Sequence, residues 1–584
     1  MRTGRDIGDC TAVTRLQQLD GCRSRVILHC FAYIAKMTGF PLKYTKLVDE
    51  YSAGLSISTR FFLFFDNFFV IWTCVQGKKE SIIYVARLCT STACAYFLEK
   101  SDLCLREQRL LAQKNEEVKN MVYTFRGGIH PGTHADPGYK AATNTKPIEK
   151  LALPDQVILP VSMHIGAPAK PIVSVGDTVD LGQPIAEAGG FVSAPVHATV
   201  SGKVVAIEPR LHQNGSKILS IVIENDGEDR LHESVHPYDF ASMSNEERIE
   251  CIRSAGIVGH GGATFPTHVK IQSGIGKCDT VIINGAECEP YITSDHRLLL
   301  ERPEEVIGGL KMLADIMGVQ NAIIAIEENK SDVFPGIEKL IADDPRLKLY
   351  PLKCKYPQGA EKQLINACTG REVPSGKLPA DAGCAVFNVD TAGAVYRRFT
   401  TGMPVIRRVV TVSGSAVAEP KNLEARIGTP VEKLIDACGG LKESPNKLLA
   451  GGPMMGVAQF SLEVPVMKGT NAFLAFCGEE DKRVEDPQCI RCGKCINACP
   501  MHLLPIYMNI YGKLDDLDNA VSCGMMDCIE CGSCAYVCPA RIPLVAQFRL
   551  TKGKIQAKRA AEKAKADAEK AKAEAEKAAS DEKK

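Results

Sequence analysis

The stretch that decides the fold is Cys489-Ile-Arg-Cys492-Gly-Lys-Cys495-Ile-Asn-Ala-Cys499-Pro500. The same spacing of four cysteines and a proline returns further along the chain, in Cys528-Ile-Glu-Cys531-Gly-Ser-Cys534-Ala-Tyr-Val-Cys538-Pro539. Two-residue gaps let one tight loop present three thiolates to one metal centre, and thiolate sulfur is a soft ligand for iron and zinc. The repeat therefore predicts a metal-binding module with two related halves.

This spacing is typical of bacterial ferredoxins, in which each half gives three cysteines to one [4Fe–4S] cluster and its fourth to the other. The resemblance implies that cluster 1 takes Cys489, Cys492, Cys495 and Cys538, and that cluster 2 takes Cys528, Cys531, Cys534 and Cys499. Zinc is the alternative metal, but zinc sites usually use two separated pairs of cysteines. Iron–sulfur clusters transfer single electrons, and they predict a cytosolic, reducing setting.

The composition is that of a globular protein with about four domains, at roughly 150 residues per domain. The chain has 584 residues, of which 45% are hydrophobic and 24% are charged. Its net charge of +1 argues against a dedicated nucleic-acid binder, which carries a strong basic excess. A chain of this length does not need disulfides for stability. We therefore expect its 24 cysteines to be metal ligands, reactive thiols or buried apolar residues.

Residues 1–120 differ from the rest of the chain. They contain no C-x-x-C pair and no periodic apolar pattern, although they carry seven cysteines: Cys10, Cys22, Cys30, Cys74, Cys89, Cys94 and Cys104. One interpretation is a small cysteine-bearing appendage. The other is an upstream extension, with Met121 as the natural start of the functional protein. The second is favoured because motif-rich sequence begins at Thr124.

The strongest candidate for a membrane span is the aromatic run 61–72. Arg60 and Asp66 interrupt its apolar character, and a spanning helix needs about 20 mostly apolar residues. We therefore expect the protein to meet a membrane peripherally or through partner subunits.

Short β-branched runs separated by turn residues predict a small β-sandwich or barrel between residues 155 and 224. The runs are 157–160, 171–175, 183–186, 199–207 and 218–223. The segments 175–185 and 193–204 resemble lipoyl or biotinyl carrier domains, which attach their cofactor to a lysine at a hairpin tip. Here that turn holds His197 and no lysine. The sequence therefore predicts a structural barrel rather than a swinging arm.

Residues 240–405 alternate predicted helices and strands, as in an α/β domain with a largely parallel sheet. One ligand-binding feature is the loop Gly256-Ile-Val-Gly259-His260-Gly261-Gly262-Ala-Thr-Phe-Pro-Thr-His-Val-Lys270. Its glycines let backbone N–H groups approach a phosphate, and its lysine adds positive charge. A second is the strand end Asn284-Gly-Ala-Glu287-Cys-Glu289-Pro, because α/β domains bind ligands at the carboxyl ends of strands. Two further polar segments are Tyr356-Pro-Gln-Gly-Ala-Glu361 and Asn388-Val-Asp-Thr391.

Together these segments resemble the FMN- and NADH-binding subunit of respiratory complex I. The resemblance implies that Gly259, Gly261, Gly262 and Lys270 face flavin or nucleotide phosphates. It implies that Asn284 and Glu287 contact the flavin and that Glu289 lies near the nicotinamide nucleotide. Glu361 stands in the counterpart of a Gly-Glu-Glu segment, and Asn388 and Thr391 flank the flavin. The sequence departs from complex I at His260, Ala286 and Ala360.

The order of the parts resembles the C subunit of the ion-translocating electron transport complex (Rnf, also called Rsx), from about residue 121 to 547. The expected divisions are an extension of uncertain relevance (1–120), an N-terminal segment with the barrel (121–230), an FMN/NADH-binding-like domain (240–405), a β-grasp ligand-binding-like module (406–475), a two-cluster ferredoxin domain (480–550) and an Ala/Lys/Glu-rich tail (553–584) that forms a solvated helix or stays disordered.

The resemblance implies a relay in which NADH reduces FMN and single electrons pass through two [4Fe–4S] clusters. It also implies a peripheral subunit on the cytoplasmic side of the inner membrane, with integral-membrane and ferredoxin-like partner subunits, in a complex that couples electron flow to ion translocation. No side chain is predicted to be catalytic. Two alternatives stay open: a soluble ferredoxin-linked oxidoreductase, and a cluster-bearing scaffold that passes electrons between partners without binding NADH.

Overall fold

The computed structural model describes the backbone of residues 57–65, 68–75, 81–87, 122–478 and 484–581, and side chains within 122–478 and 484–570. The chain forms two compact units, Met1–Asn120 and Met121–Lys584. In the first, β1 (Ile57–Phe65), β2 (Phe68–Val75) and β3 (Ser81–Arg87) form an antiparallel sheet in that order. Most of the aromatic run 61–72 therefore lies on strands, and Asp66 lies outside the described residues, as do all the N-terminal cysteines except Cys74. Within the described residues, no helix has the length and apolarity needed to cross a membrane.

The second unit begins with the predicted barrel, built as two small sheets in the strand orders β5-β11-β10-β7 and β6-β8-β9. Its strands are β5 (Gln156–Pro160), β6 (Lys170–Pro171), β7 (Thr178–Val179), β8 (Pro184–Glu187), β9 (Val196–His197), β10 (Gly202–Leu211) and β11 (Lys217–Asn225). Alternate side chains such as Val157 and Leu159 are fully buried between the sheets. His197, expected in the turn where carrier domains hold their lysine, lies instead on β9, paired with Pro184, and is buried.

Two strand boundaries in the barrel were predicted wrongly. The run 171–175 leaves the sheet after Pro171, because Asp177 accepts a hydrogen bond from the Ser174 backbone and closes a turn. The run 199–207 pairs only from Gly202 onward. The Thr199 hydroxyl instead donates to the carbonyl of Ile427, 2.6 Å away, so this residue is used to attach the barrel to a later domain.

The central α/β domain has the predicted parallel sheet, in the order β14-β13-β12-β15. Its elements are α1 (Asn245–Ser254), α2 (Thr267–Gly274), β12 (Thr280–Gly285), α3 (Ser294–Glu301), α4 (Pro303–Met317), β13 (Asn321–Glu327), α5 (Phe334–Ile341), β14 (Leu347–Leu352), α6 (Glu361–Thr369), β15 (Cys384–Asn388) and α7 (Val389–Thr401). Strand β12 is apolar and buried at its centre, and Asn284 near its carboxyl end is partly buried. The carboxyl ends of β12 and β15 therefore lie side by side, which brings Asn284 opposite Asn388.

The next module has the six-stranded sheet order β19-β18-β20-β16-β17-β4. Its elements are β4 (Ile148–Lys150), β16 (Arg407–Ser413), β17 (Lys421–Arg426), α8 (Val431–Ala437), β18 (Lys447–Ala450), β19 (Val457–Gln459) and β20 (Ala472–Phe476). The edge strand β4 comes from the N-terminal segment and pairs with β17. Strand β4 has no signature in the sequence, because it is very short, mostly exposed and without an alternating apolar pattern.

The cysteine-rich module has two halves that share their backbone geometry at equivalent positions of the two motifs. Its helices are α9 (Lys494–Ala498), α10 (Pro505–Lys513), α11 (Leu517–Ser522), α12 (Ser533–Tyr536) and α13 (Leu544–Asp581). Arg491 and Glu530 both have positive φ, at 58° and 56°, and His502 and Arg541 have φ of 53° and 55°. The Ala/Lys/Glu-rich tail continues helix α13. Its described side chains beyond Ile555 are exposed.

Candidate functional site

The glycine-rich loop presents open backbone next to the start of a helix. Gly259 is held by a hydrogen bond from its N–H to the carbonyl of Phe265. Gly261 and Gly262 have φ of 123° and 62°, and no atom lies within 4 Å of where a Cβ would stand on either. The loop leads directly into α2 at Thr267. The open backbone at the two glycines and the nearby helix N-terminus favour a phosphate at this place.

A network of buried charged side chains fixes the position of the glycine-rich loop. The backbone N–H of His260 donates to the Thr391 hydroxyl at 2.9 Å, and His260 Nδ1 lies 3.0 Å from Asp390. Arg397 and Arg408 both pair with the same aspartate. Burial, and then these two arginines, hold the pKa of His260 well below its usual range, so its ring is neutral. Within the described part of the chain, its buried Nε2 has no hydrogen-bond partner.

Lys270 and Glu361 are brought together by the fold. The lysine Nζ donates to the Glu361 carboxylate and to the carbonyl of Val386, both at 2.9 Å. It also lies 5.7 Å from the centroid of the Phe387 ring. Both charged side chains are about one-third exposed. A phosphate at this site would therefore compete with Glu361 for the lysine.

The end of β12 is fixed by side-chain bonds to its own surroundings. Asn284 donates to the carbonyl of Gly359 at 2.8 Å and accepts from the N–H of Ala286. Gly359 has no room for a side chain, because a Cβ there would stand 2.2 Å from the carbonyl oxygen of Ala286. The strand end and the segment 356–361 thus form one rigid wall.

Glu287 caps the helix that follows it. Its carboxylate accepts from the Ser294 hydroxyl and from the backbone N–H groups of Asp295 and His296, at 2.8 to 3.3 Å. A carboxylate at a helix N-terminus is stabilised by the unpaired N–H groups there. Asn388 donates to Asp295 at 2.6 Å. Burial and the nearby charge of Glu287 raise the pKa of Asp295 to about 7.

Glu289 lies at the junction between the α/β domain and the cysteine-rich module. It is half-buried, accepts from the N–H of Met454 at 3.1 Å and lies 3.4 Å from the Tyr356 hydroxyl. Burial raises its pKa to about 7. The same tyrosine hydroxyl donates to the carbonyl of Cys531 at 2.6 Å. Tyr356 therefore lies between the Glu289 carboxyl group and the backbone of a predicted cluster ligand.

The thiols next to Cys528 and Cys495 are those that the crossed ferredoxin arrangement would place there. Burial raises the pKa of Cys528 to about 11, with further upward contributions from Cys531 and Cys499. Burial raises the pKa of Cys495, with Cys489 and Cys538 as neighbouring thiols. Thiols of this kind ionise when a cation binds them. Among the described residues, no three His, Cys, Asp or Glu side chains converge closely enough to hold a single metal ion.

The second group surrounds a cavity suited to an apolar-walled cluster. Cys499, Cys528, Cys531 and Cys534 line it together with apolar side chains that include Met508 and Phe548. Backbone N–H groups donate to the sulfurs of Cys499 and Cys528 at 3.3 and 3.4 Å. Such N–H···S bonds stabilise the charge of ligated thiolates and tune cluster potential. These residues fit a [4Fe–4S] cluster.

A further buried lysine, Lys468, lies beside the glycine-rich loop and was not expected from the sequence. Its fully buried Nζ donates to the carbonyls of Pro195 and Gly256, at 2.7 and 2.8 Å, and burial lowers its pKa to about 7. A Cβ on the adjacent Gly469 would stand 2.1 Å from the Thr264 side chain, so this turn packs against the glycine-rich loop. Because the turn and the loop lie in different modules, far apart along the chain, no local sequence pattern connects them.

Four family models match the chain in succession. They are the RnfC barrel sandwich hybrid domain (123–228), the Nuo51 FMN-binding domain (252–397), the SLBB domain (409–458) and the 4Fe-4S dicluster domain (481–539). They confirm the predicted succession of fold types and support FMN and [4Fe–4S] clusters as the cofactors.

Three relatives match across most of their own length. The C subunit of a Na+-translocating ferredoxin:NAD+ oxidoreductase complex from Acetobacterium woodii is 49% identical over 75% of this chain and 98% of the relative. The proton-translocating counterpart from Clostridium ljungdahlii is 46% identical, covering 76% and 96%. The C subunit of the ion-translocating oxidoreductase complex from Rhodobacter capsulatus is 43% identical, covering 75% and 84%.

A solved NAD+-reducing [NiFe]-hydrogenase in the H2-reduced state aligns with a TM-score of 0.40 and 20% identity, covering 54% of this chain and 63% of that one. The family of the chain is established by its sequence identity to the three relatives over three quarters of its length. The chain belongs to the family of C subunits of ion-translocating ferredoxin:NAD+ oxidoreductase complexes, the Rnf family.

Proposed function

We propose that this chain is the peripheral electron-transfer subunit of a membrane-bound complex that couples electron flow between NADH and ferredoxin, or partner subunits, to ion translocation. The observation that carries the proposal is the buried junction between the α/β domain and the second cysteine motif. There the Tyr356 hydroxyl lies 2.6 Å from the carbonyl of Cys531. The names of the relatives describe ferredoxin:NAD+ oxidoreductase complexes that translocate Na+ or protons.

The flavin site is formed by the glycine-rich loop and the ends of β12 and β15. When bound, FMN accepts a hydride and releases single electrons. In this proposal the backbones of Gly261 and Gly262 hold its phosphate, with Lys270 released from Glu361. Gly259 shapes the loop instead of contacting the phosphate, because its N–H donates to the carbonyl of Phe265. Asn284, Glu287, Asn388 and Thr391 hold the walls of the site in place. The open space over the two central glycines supports this assignment.

Cluster 2 is the cluster next to the flavin-binding domain. Its predicted ligands Cys499, Cys531 and Cys534 are at most 8% exposed. Gln363 of the α/β domain donates to the carbonyl of Pro500 at 3.3 Å. Electrons from the flavin side would therefore reach cluster 2 first, held by Cys528, Cys531, Cys534 and Cys499.

Cluster 1 is the outward cluster, because two of its predicted ligands, Cys489 and Cys492, are exposed. The four proposed ligands are Cys489, Cys492, Cys495 and Cys538. A cluster held by these residues would exchange electrons with integral-membrane or ferredoxin-like partner subunits on the cytoplasmic side of the inner membrane. Fractionation with and without those subunits tests docking. A protein that stays wholly soluble in their presence contradicts it and favours the soluble oxidoreductase.

The scaffold without NADH binding is the second candidate, and one observation favours it. Glu289, predicted to lie near the nicotinamide nucleotide, is half-buried and its carboxylate already accepts a hydrogen bond from the N–H of Met454. NADH titration of protein purified without oxygen decides between them, with flavin, iron and sulfide quantified first. We expect one FMN and about eight iron and eight sulfide ions per chain, and bleaching of the flavin by NADH. Flavin that NADH does not bleach would establish the scaffold.

A further inference from the structure

Tyr356 is the central side chain of the junction. Its backbone exchanges two hydrogen bonds with Ile129, both at 2.8 Å, so its position is fixed by the N-terminal segment. The side chain is 1% exposed and packs in a cluster that includes Ala498 and Cys531. Neither the glycine-rich loop nor the predicted ligand sets include this residue.

The hydroxyl of Tyr356 is a fixed donor to the backbone of a predicted cluster ligand. It has one proton, and its contact with the carbonyl of Cys531 at 2.6 Å is much shorter than its 3.4 Å distance to Glu289. A phenolic hydroxyl ionises only at about pH 10, so the group carries its proton at physiological pH and donates it to this carbonyl.

Packing alone does not require a hydroxyl at this position. Phenylalanine has almost the same volume and avoids the desolvation cost that a buried hydroxyl incurs unless it is bonded. The hydroxyl at position 356 meets the carbonyl at 531, where the loop continues into Gly532 and the buried Ser533. Donors near a cluster stabilise its reduced, more negative state and raise its potential. A carbonyl group near the cluster that accepts no hydrogen bond destabilises the reduced state and lowers the potential.

We propose that Tyr356 is a positioning residue that holds the Cys531 loop and selectively raises the reduction potential of cluster 2. This inference rests on the proposed function, because it takes Cys531 as a ligand of that cluster. Cys492, the counterpart of Cys531 in the first motif, is exposed. The tyrosine would therefore make the two clusters differ in potential although their motifs are equal.

The test is a redox titration of the full chain, monitored by electron paramagnetic resonance, with Tyr356→Phe and the matched control Tyr350→Phe. Tyr350 lies on β14 of the same domain and stacks on Tyr123 at 4.2 Å between ring centroids. The signal of cluster 2 is identified as the one lost in Cys531→Ala. We expect Tyr356→Phe to lower the reduced-to-oxidised ratio of cluster 2 about tenfold at a fixed potential, which is about 59 mV for one electron. Cluster 1 and the control should not change.

A second variant covers the case in which Tyr356→Phe loses the cluster. Fluorotyrosine at position 356 keeps the ring and strengthens the donor, so the potential of cluster 2 should rise. Intact clusters whose potentials do not move in fluorotyrosine protein overturn the inference, as does an equal shift of both clusters in either variant. Wild-type protein without iron and sulfide contradicts the proposed function instead, so the two failures are distinguishable.

Discussion

The two cysteine motifs have the same backbone and opposite surroundings. Arg491 and Glu530 share a left-handed conformation, with φ of 58° and 56°. Yet Ile490 is 67% exposed, whereas its counterpart Ile529 packs in the apolar cluster around Tyr356. The local spacing of the cysteines therefore determines how each half folds. The other domains determine which half is buried and which one faces outward.

Three segments distant in sequence cover the residues around the proposed cluster 2, which include Cys499 and Pro500 at the end of the first motif. The N-terminal segment contributes Gly127, where a Cβ would stand 2.9 Å from the carbonyl oxygen of Cys499. The loop after β18 contributes Met454, whose carbonyl would lie 3.0 Å from a Cβ on Gly532. The segment 356–363 contributes hydrogen bonds to Cys531 and Pro500. The junction is thus shared among domains that each fold by their own local rules.

The largest effect is expected from Cys531→Ala. The control is Cys523→Ala, because Cys523 lies near the second motif but outside its cysteine spacing. Removing a ligand of the buried cluster should cost about four of the eight iron ions, whereas the control should keep them all. Iron and sulfide analysis after anaerobic purification measures this directly. A full iron content in Cys531→Ala would show that this cysteine is not a ligand.

Cys538→Ala tests whether the ligands are crossed between the two halves. We expect it to disturb the outward cluster held by Cys489, Cys492 and Cys495, although Cys538 belongs to the second motif. Cys499→Ala should disturb the buried cluster. Spectra of the variants, compared with those of Cys531→Ala, assign each loss. If the loss in Cys538→Ala is confined to the buried cluster, the crossed arrangement is wrong.

Glu289 should make the buried half of the molecule sensitive to pH. Its folded-state pKa of about 7 lies above the ordinary 4.5, so the folded state binds the proton more tightly than the unfolded state. Stability should therefore be greatest below about pH 4.5 and should fall until about pH 7, by about 3 kcal/mol in total. Glu289→Gln should remove this part of the dependence. Thermal midpoints of the holoprotein between pH 5 and 8 measure it, and equal slopes in both proteins would contradict the assignment.

Gly127→Ala should produce a smaller effect, because it strains the junction without removing a ligand. Its φ of 80° costs about 1–2 kcal/mol for alanine, and the contact with Cys499 adds to that. Gly440→Ala is the matched control, since its φ is 81° and its Cβ would meet no atom within 4 Å. We expect a lower thermal midpoint and slower cluster reduction in Gly127→Ala than in the control. Identical behaviour would mean that the approach to Cys499 is unimportant.

Local patterns predicted the parts of the fold that depend on local physics. The apolar runs of β12 and β13 and the cysteine spacing each reflect neighbouring residues. Strand β4 was missed because it is very short and mostly exposed, and because its partner β17 lies far away along the chain. The ion pair between Lys270 and Glu361, and the bond from Tyr356 to Cys531, likewise depend on tertiary packing.

The most direct test of the relay order is rapid-freeze spectroscopy of NADH-reduced protein lacking one cluster at a time. In Cys492→Ala, the buried cluster should still be reduced at the wild-type rate, because in the proposed order it receives electrons from the flavin side. Cys531→Ala should reduce its flavin and leave the outward cluster oxidised. Reduction of the outward cluster at the wild-type rate in Cys531→Ala would contradict the order flavin, cluster 2, cluster 1.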